Sequence, residues 1–243
     1  AGISKISYIM TDDRNVKYAY NAEKDVFQVV SKEGEDHTIY FKGPYTMSMT
    51  AYAPYTGERG TLAGVIQAST TSEKQVGTAR ATIDFLYAEG GGSQTNPRVE
   101  FQFFHKMSQL VLAFKAGGGL ELDDISYTLK NIILDGSFDT SAGSVASGKT
   151  TGNINMSLAK GKEMNSSVIV FPQKLASTLL LELAMGGKTY AQPIGNGIDL
   201  ISGNTYIFDV TIAPQSMTVS PAKIEDWIWG ENSDHYVIAG ESE

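Results

Sequence analysis

The stretch Arg98-Val-Glu-Phe-Gln-Phe-Phe-His-Lys-Met-Ser-Gln-Leu-Val-Leu-Ala-Phe-Lys115 decides the fold. Val99, Phe101 and Phe103 alternate with Glu100 and Gln102. After His105-Lys106 the alternation resumes, with Leu110, Leu112 and Phe114 on one face and Gln109, Val111, Ala113 and Lys115 on the other. A period of two means strand, because successive side chains leave a pleated backbone on opposite sides. The polar His-Lys break predicts two strands, or one bent strand. Gly90-Gly91-Gly92-Ser93 precedes the stretch and Gly117-Gly118-Gly119 follows it. A strand pair fenced by flexible residues reads as the opening of a new domain, with the junction between Glu89 and Pro97. The expected domains are residues 1–92 and 93–243.

Working outward, most of the chain carries the same signal. Ile6, Tyr8 and Met10 alternate near the start, and Val16–Tyr20 and Val26–Val30 read as a hairpin. Thr38–Lys42, Thr46–Pro54, Leu62–Thr70 and Thr82–Ala88 are further strand candidates. In the second half these are Ile125–Leu134, Val168–Phe171, Thr178–Met185 and Lys188–Pro193, the last two joined by a Gly186-Gly187 turn. Asn204–Ala213 places Tyr206, Phe208, Val210 and Ile212 on one face, and Met217–Val219 and Ile224–Trp229 close the pattern. Asp135–Thr151, rich in Ser, Gly and Thr, reads as a loop or wide hairpin. No segment sustains a helical period for three turns. Many short strands with Gly, Pro and Asn punctuation predict an all-β sandwich protein.

Composition narrows the function. The 243 residues carry a net charge of −8 and no cysteine. The charge, with no basic run, argues against nucleic acid or an anionic membrane as partner. The missing cysteine excludes disulfides, Cys-ligated zinc and a thiol nucleophile. No run approaches the ~18 apolar residues of a membrane span. Ala1 leads straight into strand-like sequence, with neither a charged n-region nor an apolar h-region, so the chain is expected to be soluble as given.

Each candidate chemistry has a plainer reading. Gly143-Ser-Val-Ala-Ser-Gly-Lys-Thr150 fits the phosphate-binding expression G-x-x-x-x-G-K-[ST]. That mechanism needs an apolar strand before it and a helix after it. Here Gly136-Ser-Phe-Asp precedes, and Thr151–Met156 alternates like a strand, so the match reads as a loop. His37, His105 and His235 are scattered, and His105, at the strand break, is expected to hydrogen-bond locally. Nothing resembles G-x-S-x-G. Asp12-Asp13 and Asp123-Asp124 lack the rest of a calcium loop and read as solvated turns. Asn165-Ser-Ser matches a glycosylation acceptor, relevant only to a eukaryotic secretory protein. Trp227 and Trp229 read as core residues or, if exposed together, as a sugar-stacking platform. No enzyme activity, cofactor or metal is expected.

Several motifs in order carry a family resemblance. Ala51-Tyr-Ala-Pro-Tyr55, Asp84-Phe-Leu-Tyr-Ala88, Val99-x-Phe-x-Phe-Phe-His-Lys-Met-Ser-Gln109, Ser202-Gly-Asn-Thr-Tyr206, Met217-Thr-Val-Ser220 and Ile224-x-x-Trp227-x-x-Gly230 resemble the signature of the fimbrillins, subunits of Bacteroides-type (type V) pili. The resemblance implies two transthyretin-like β-sandwich domains in tandem, assembly by donor-strand exchange with other pilus subunits, and export as a lipoprotein precursor to the outer membrane and fimbrium. A host or bacterial surface ligand is a further expected partner. In the C-terminal segment, Met217, Val219, Ile224, Trp227, Ile228 and Trp229 are donor-strand candidates; the same residues could instead close their own core. Ile6, Tyr8 and Met10 are the candidates for a first strand whose departure opens an acceptor groove. The alternative from another class is a surface glycan-binding lipoprotein.

Overall fold

A computed structural model describes residues 2–5, 14–24, 26–41, 45–161, 164–176, 179–195 and 197–228. Among the described residues eighteen strands run in chain order. They are β1 (Gly2–Lys5), β2 (Val16–Asn21), β3 (Val26–Val29), β4 (Met47–Ala53), β5 (Val65–Ser69), β6 (Leu86–Gly92), β7 (Phe104–His105), β8 (Ser108–Ala116) and β9 (Ile125–Ile133). There follow β10 (Asp135–Asp139), β11 (Ser144–Ser147), β12 (Thr151–Leu158), β13 (Met164–Val170), β14 (Leu180–Met185), β15 (Lys188–Pro193), β16 (Asn204–Ala213), β17 (Ser216–Val219) and β18 (Lys223–Asp226). The helical segments among the described residues are two 3-10 turns, Ser72–Lys74 and Gly77–Thr82. Among the described residues no helix is long and apolar enough to cross a membrane.

The chain forms two compact units that interleave in sequence. The first comprises residues 1–66, 84–106 and 138–144, and the second 67–83, 107–137 and 145–243. These units do not coincide with the 1–92 and 93–243 division expected from composition. The chain instead passes into the second unit at the His-Lys break of the deciding stretch, with β7 before it and β8 after it.

The first unit is built on a six-stranded sheet in the order β3-β2-β1-β4-β6-β7. Gly90–Gly92, expected to be too flexible for a strand, pair with Met47–Met49 in β6. The glycines are needed for close approach, not for flexibility. A Cβ on Gly90 would lie 2.8 Å from Val99 Cγ1, and one on Gly92 would run into the Phe41 ring. Val99, Phe101 and Phe103 do share a face, as their alternation predicts, and pack on a small core of Met49, Ala51 and Ala88. They lie across the sheet as irregular chain, however, not in it. Residues 38–41 are likewise irregular, with Ile39 and Phe41 packed on the same core.

The second unit is a sandwich. One sheet runs β12-β9-β14-β15, and the other β13-β8-β16-β17 with β18 also on β16. Between them lies one core that includes Leu110, Leu112, Phe114, Tyr127, Leu129, Leu181, Leu183, Tyr206, Phe208, Val210 and Ile212. Strand β8 pairs parallel with β16, Leu110 opposite Tyr206, and antiparallel with β13. Ser108 to Leu112 are buried on both faces, as central strands with a parallel neighbour are. Gln109, on the face away from the core, meets the Thr205 hydroxyl at 3.1 Å.

Candidate subunit-interface site

Strand β1 is an interior strand. It pairs antiparallel with β2 (Gly2 opposite Lys17, Ile3 opposite Val16) and with β4 along its whole length, from Gly2 opposite Tyr52 to Lys5 opposite Met49. Its neighbours Val16 and Ala51 are fully buried. A strand bonded on both sides leaves two unpaired edges and a gap one strand wide when it is taken away, because adjacent strands lie ~4.8 Å apart. Ile6, Tyr8 and Met10 lie outside the described residues.

The walls of that gap are tied to each other independently of β1. Asn15, immediately before β2, is buried and held in the left-handed region with φ of 48°. Its Oδ1 accepts the Tyr52 hydroxyl of β4 at 2.6 Å, and its Nδ2 donates to Thr56 O at 2.9 Å. The Tyr55 hydroxyl donates to Asn15 O at 3.3 Å, while Lys17 Nζ stands 5.7 Å over the Tyr55 ring. Asn suits this position because its short side chain tolerates positive φ. Burial pushes the Tyr52 phenol up to about 12, so it stays protonated and able to donate. The alternation of side chains does not mark Asn15. The signal that could have found it is the pair of tyrosines in Ala51-Tyr-Ala-Pro-Tyr55, both of which end on it.

The C-terminal candidates separate into two groups. Met217 stands opposite Ile212 and Val219 opposite Val210, both on the core side of β17. Met217 is a core member and Val219 packs against the core. From Val210 to Ile207 the chain of β16 advances three residues, while its partner advances four, from Val219 to Lys223. That one-residue bulge is held by Ser220, whose N donates to Asp209 O and whose Oγ accepts Asp209 N, both at 2.9 Å. Beyond it, Ile224 is opposite Tyr206 and is 55% exposed. Trp227 is half-buried, with its N–H on Gly203 O at 2.7 Å, and Ile228 is exposed. Trp229 lies outside the described residues.

His105 and the Asp135–Thr151 segment take structural roles, while Asp12, Asp13 and His235 lie outside the described residues. The Nδ1 of His105 is 2.7 Å from Oδ1 of Asp84, 21 residues earlier, tying β7 to the chain just ahead of β6. Asp135–Thr151 is a wide hairpin of β10 and β11 leading into β12. In place of a phosphate-binding helix, Gly148 N and Thr150 N donate to Asp135 O and Oδ1, both at 2.8 Å. A carboxylate in that position repels phosphate. Among the described residues no cluster of three or more His, Asp or Glu could hold a metal.

The chain is thus all-β, with an interior first strand, side-chain ties between the neighbours of that strand and a bulged C-terminal edge. Residues 4–227 match the family described as fimbrillin-like, and this chain is a member of that family. A curated relative from Bacteroides uniformis, named as a candidate fimbrium subunit, Fim1C, is 26% identical, covering 94% of this chain and 77% of that protein. A solved structure of a candidate cell adhesion protein from Bacteroides ovatus is similar with a TM-score of 0.83 and 32% identity, over 93% of this chain and 86% of that one. A second, from Bacteroides uniformis, shares the fold with a TM-score of 0.76 and 24% identity, over 93% and 90%.

Proposed function

We propose that this chain is a structural subunit of a cell-surface pilus that joins other subunits by donor-strand exchange and contributes to adhesion. The observation that carries the reading is the position of β1 between β2 and β4. Loss of that strand, with the residues that follow it, exposes two ladders of backbone donors and acceptors facing each other. An incoming strand can satisfy both at once. The Asn15–Tyr52 tie supports the reading because it holds the walls while the gap is empty. The candidate donor is the C-terminal segment from Ile224 to Trp229, where Ile224 and Ile228 are exposed apolar side chains on the chain's last described residues. Met217 and Val219 belong to their own core, so the donated segment begins beyond Ser220. Under this reading the tandem domains are transthyretin-like, the location is the fimbrium at the outer membrane, the precursor is a lipoprotein, and the chain is not an enzyme.

The test uses two truncations. A chain beginning at Arg14 lacks β1 and is expected to form linear polymers visible by electron microscopy. The same chain ending at Ser220 is expected to fold, accept donors and end polymers, but not extend them. The reading is overturned if the first truncation folds and stays monomeric, or if the second still extends polymers.

A second reading, glycan binding, is favoured by Tyr20 and Phe27, both about half exposed with ring centroids 5.7 Å apart. A glycan array that Tyr20→Ala and wild type leave equally blank sinks it.

A further inference from the structure

Two edges of the second unit's sandwich are occupied by one connecting segment. Strand β13 ends the sheet β13-β8-β16-β17, and β12 ends the sheet β12-β9-β14-β15. The segment from Thr71 to Ile83, with its two 3-10 turns, supplies side chains to both. Gln75 is buried, and its amide sits on the β13 backbone. Its Oε1 accepts Ile169 N–H at 2.8 Å and its Nε2 donates to Ile169 O at 2.9 Å, with a second bond to Thr70 O at 2.8 Å. Two bonds to the N–H and C=O of one residue reproduce a rung of a β-ladder. Two residues earlier Arg80 covers the carbonyl alone, its Nη1 donating to Ser167 O at 2.6 Å, while its Nη2 donates to the Ser167 side chain, Oγ, at 2.9 Å. On the neighbouring sheet, Ser72 Oγ accepts Asn155 N–H of β12 at 2.9 Å.

We infer that Gln75 and Arg80 form an edge guard, which keeps β13 from pairing with β13 of a second copy of this chain. The occupant follows from the strand itself. β13 is Met164-Asn-Ser-Ser-Val-Ile-Val170, rich in β-branched residues and free of Pro and charge. A bare edge of that composition is a template for its own sequence, and an antiparallel pair of identical strands closes on itself by two-fold symmetry. Natural sheets blunt such edges with charges, bulges or covering chain. Here the cover is two side chains that already use the N–H and C=O of Ile169 and the C=O of Ser167.

The test is the Gln75→Ala, Arg80→Ala double variant of the full chain. The protein has no cysteine, so Asn165→Cys, on an exposed site of β13, gives a unique position for a spin label. With the guard intact, the labelled protein is expected to stay monomeric across a concentration series. In the double variant the Ile169 amide is expected to exchange about tenfold faster in dilute solution, the loss of one buried hydrogen bond. On concentration it is expected to dimerise, bringing two labels close together. A folded double variant that remains monomeric overturns the inference, and so does association that leaves the labels far apart. If the double variant does not fold, Arg80→Ala alone is read by the same criteria, since Arg80 is only half-buried. Failure of that variant to fold overturns the inference too, because the segment is then a core prop.

Discussion

The Tyr52 hydroxyl lies 2.6 Å from Asn15 Oδ1 and so joins β4 to the residue that opens β2, while β1 runs between those two strands. Both residues are buried, so the bond is made away from competing water. Tyr52→Phe removes the donor and leaves Asn15 Oδ1 without it. It is expected to cost about 1–3 kcal/mol of stability, measured by urea unfolding. In the chain beginning at Arg14 the effect is expected to be larger than in the full chain, because β1 no longer helps to hold β2 to β4. Equal costs in the two backgrounds mean that the bond does not bridge the gap.

Met217 and Ile224 sit on the same terminal hairpin partner of β16 but on opposite sides of the Ser220 bulge. Met217 is 7% exposed, whereas Ile224 is 55% exposed, although it faces the fully buried Tyr206. Met217→Ala is expected to cost about 2–5 kcal/mol through lost burial and the cavity left behind. Ile224→Ala is expected to fall within about 0.5 kcal/mol in the monomer. If Ile224 enters a neighbouring subunit, the same substitution weakens polymerisation while monomer stability stays put. A monomer destabilised equally by both changes places Ile224 in its own core.

Much of this was legible in the sequence because a period of two survives any packing. Val16–Tyr20, Val26–Val30, Asn204–Ala213 and the Gly186-Gly187 hairpin fall where alternation and turn chemistry put them. The alternation of Val99, Phe101 and Phe103 also identified a common buried face, but it could not tell a strand in the sheet from a strap lying across it. That difference is made by backbone bonding, to which side-chain period is blind. Gly90–Gly92 misled for a related reason: glycine was read as freedom, while here it makes room for the Val99 and Phe101 side chains and the Phe41 ring. Gln75 and Arg80 were not legible at all. Their partners lie 94 and 87 residues away, and nothing local marks a polar side chain that finishes someone else's hydrogen bonds.

Alkaline pH is expected to destabilise the fold through its buried phenols. Burial raises the phenol of Tyr52 to about 12, and burial raises that of Tyr127 further, its hydroxyl 2.7 Å from Ser166 Oγ inside the sandwich core. An unfolded tyrosine ionises near ~10. Below that pH both states hold the proton and stability is unaffected. Above it the unfolded chain gives the proton up while the folded chain keeps it, so the unfolded state binds fewer protons and stability falls as pH rises. The loss is expected to begin near pH ~10 and, for Tyr52, to level off near pH 12. Unfolding midpoints measured between pH 8 and 11 check it; Tyr127→Phe is expected to flatten the slope. A midpoint that does not fall above pH ~10 removes the argument.

The Gly143 to Thr150 match separates by mutation into a residue that matters and one that does not. Gly143 has φ of 61°, where L side chains are strained, and a Cβ there would enter the Tyr87 ring. Tyr87 cannot retreat freely, since its hydroxyl bonds Ser141 O at 3.1 Å and Lys106 Nζ stands 5.5 Å over its ring. Gly143→Ala therefore combines a backbone penalty with overpacking and is expected to cost more than about 1–2 kcal/mol. Gly34 supplies the control: its φ is 80° but its Cβ would meet nothing within 4 Å, so Gly34→Ala carries the backbone penalty alone. Lys149 is exposed, and no helix follows it to cradle a phosphate, because β12 begins at Thr151. Lys149→Ala is expected to leave stability and polymerisation unchanged, and calorimetry with magnesium-ATP is expected to show no heat of binding in either protein. Binding that disappears in Lys149→Ala would reverse the assignment. A harmless Gly143→Ala would show instead that Tyr87 can move, and with it the hairpin that β10 and β11 form.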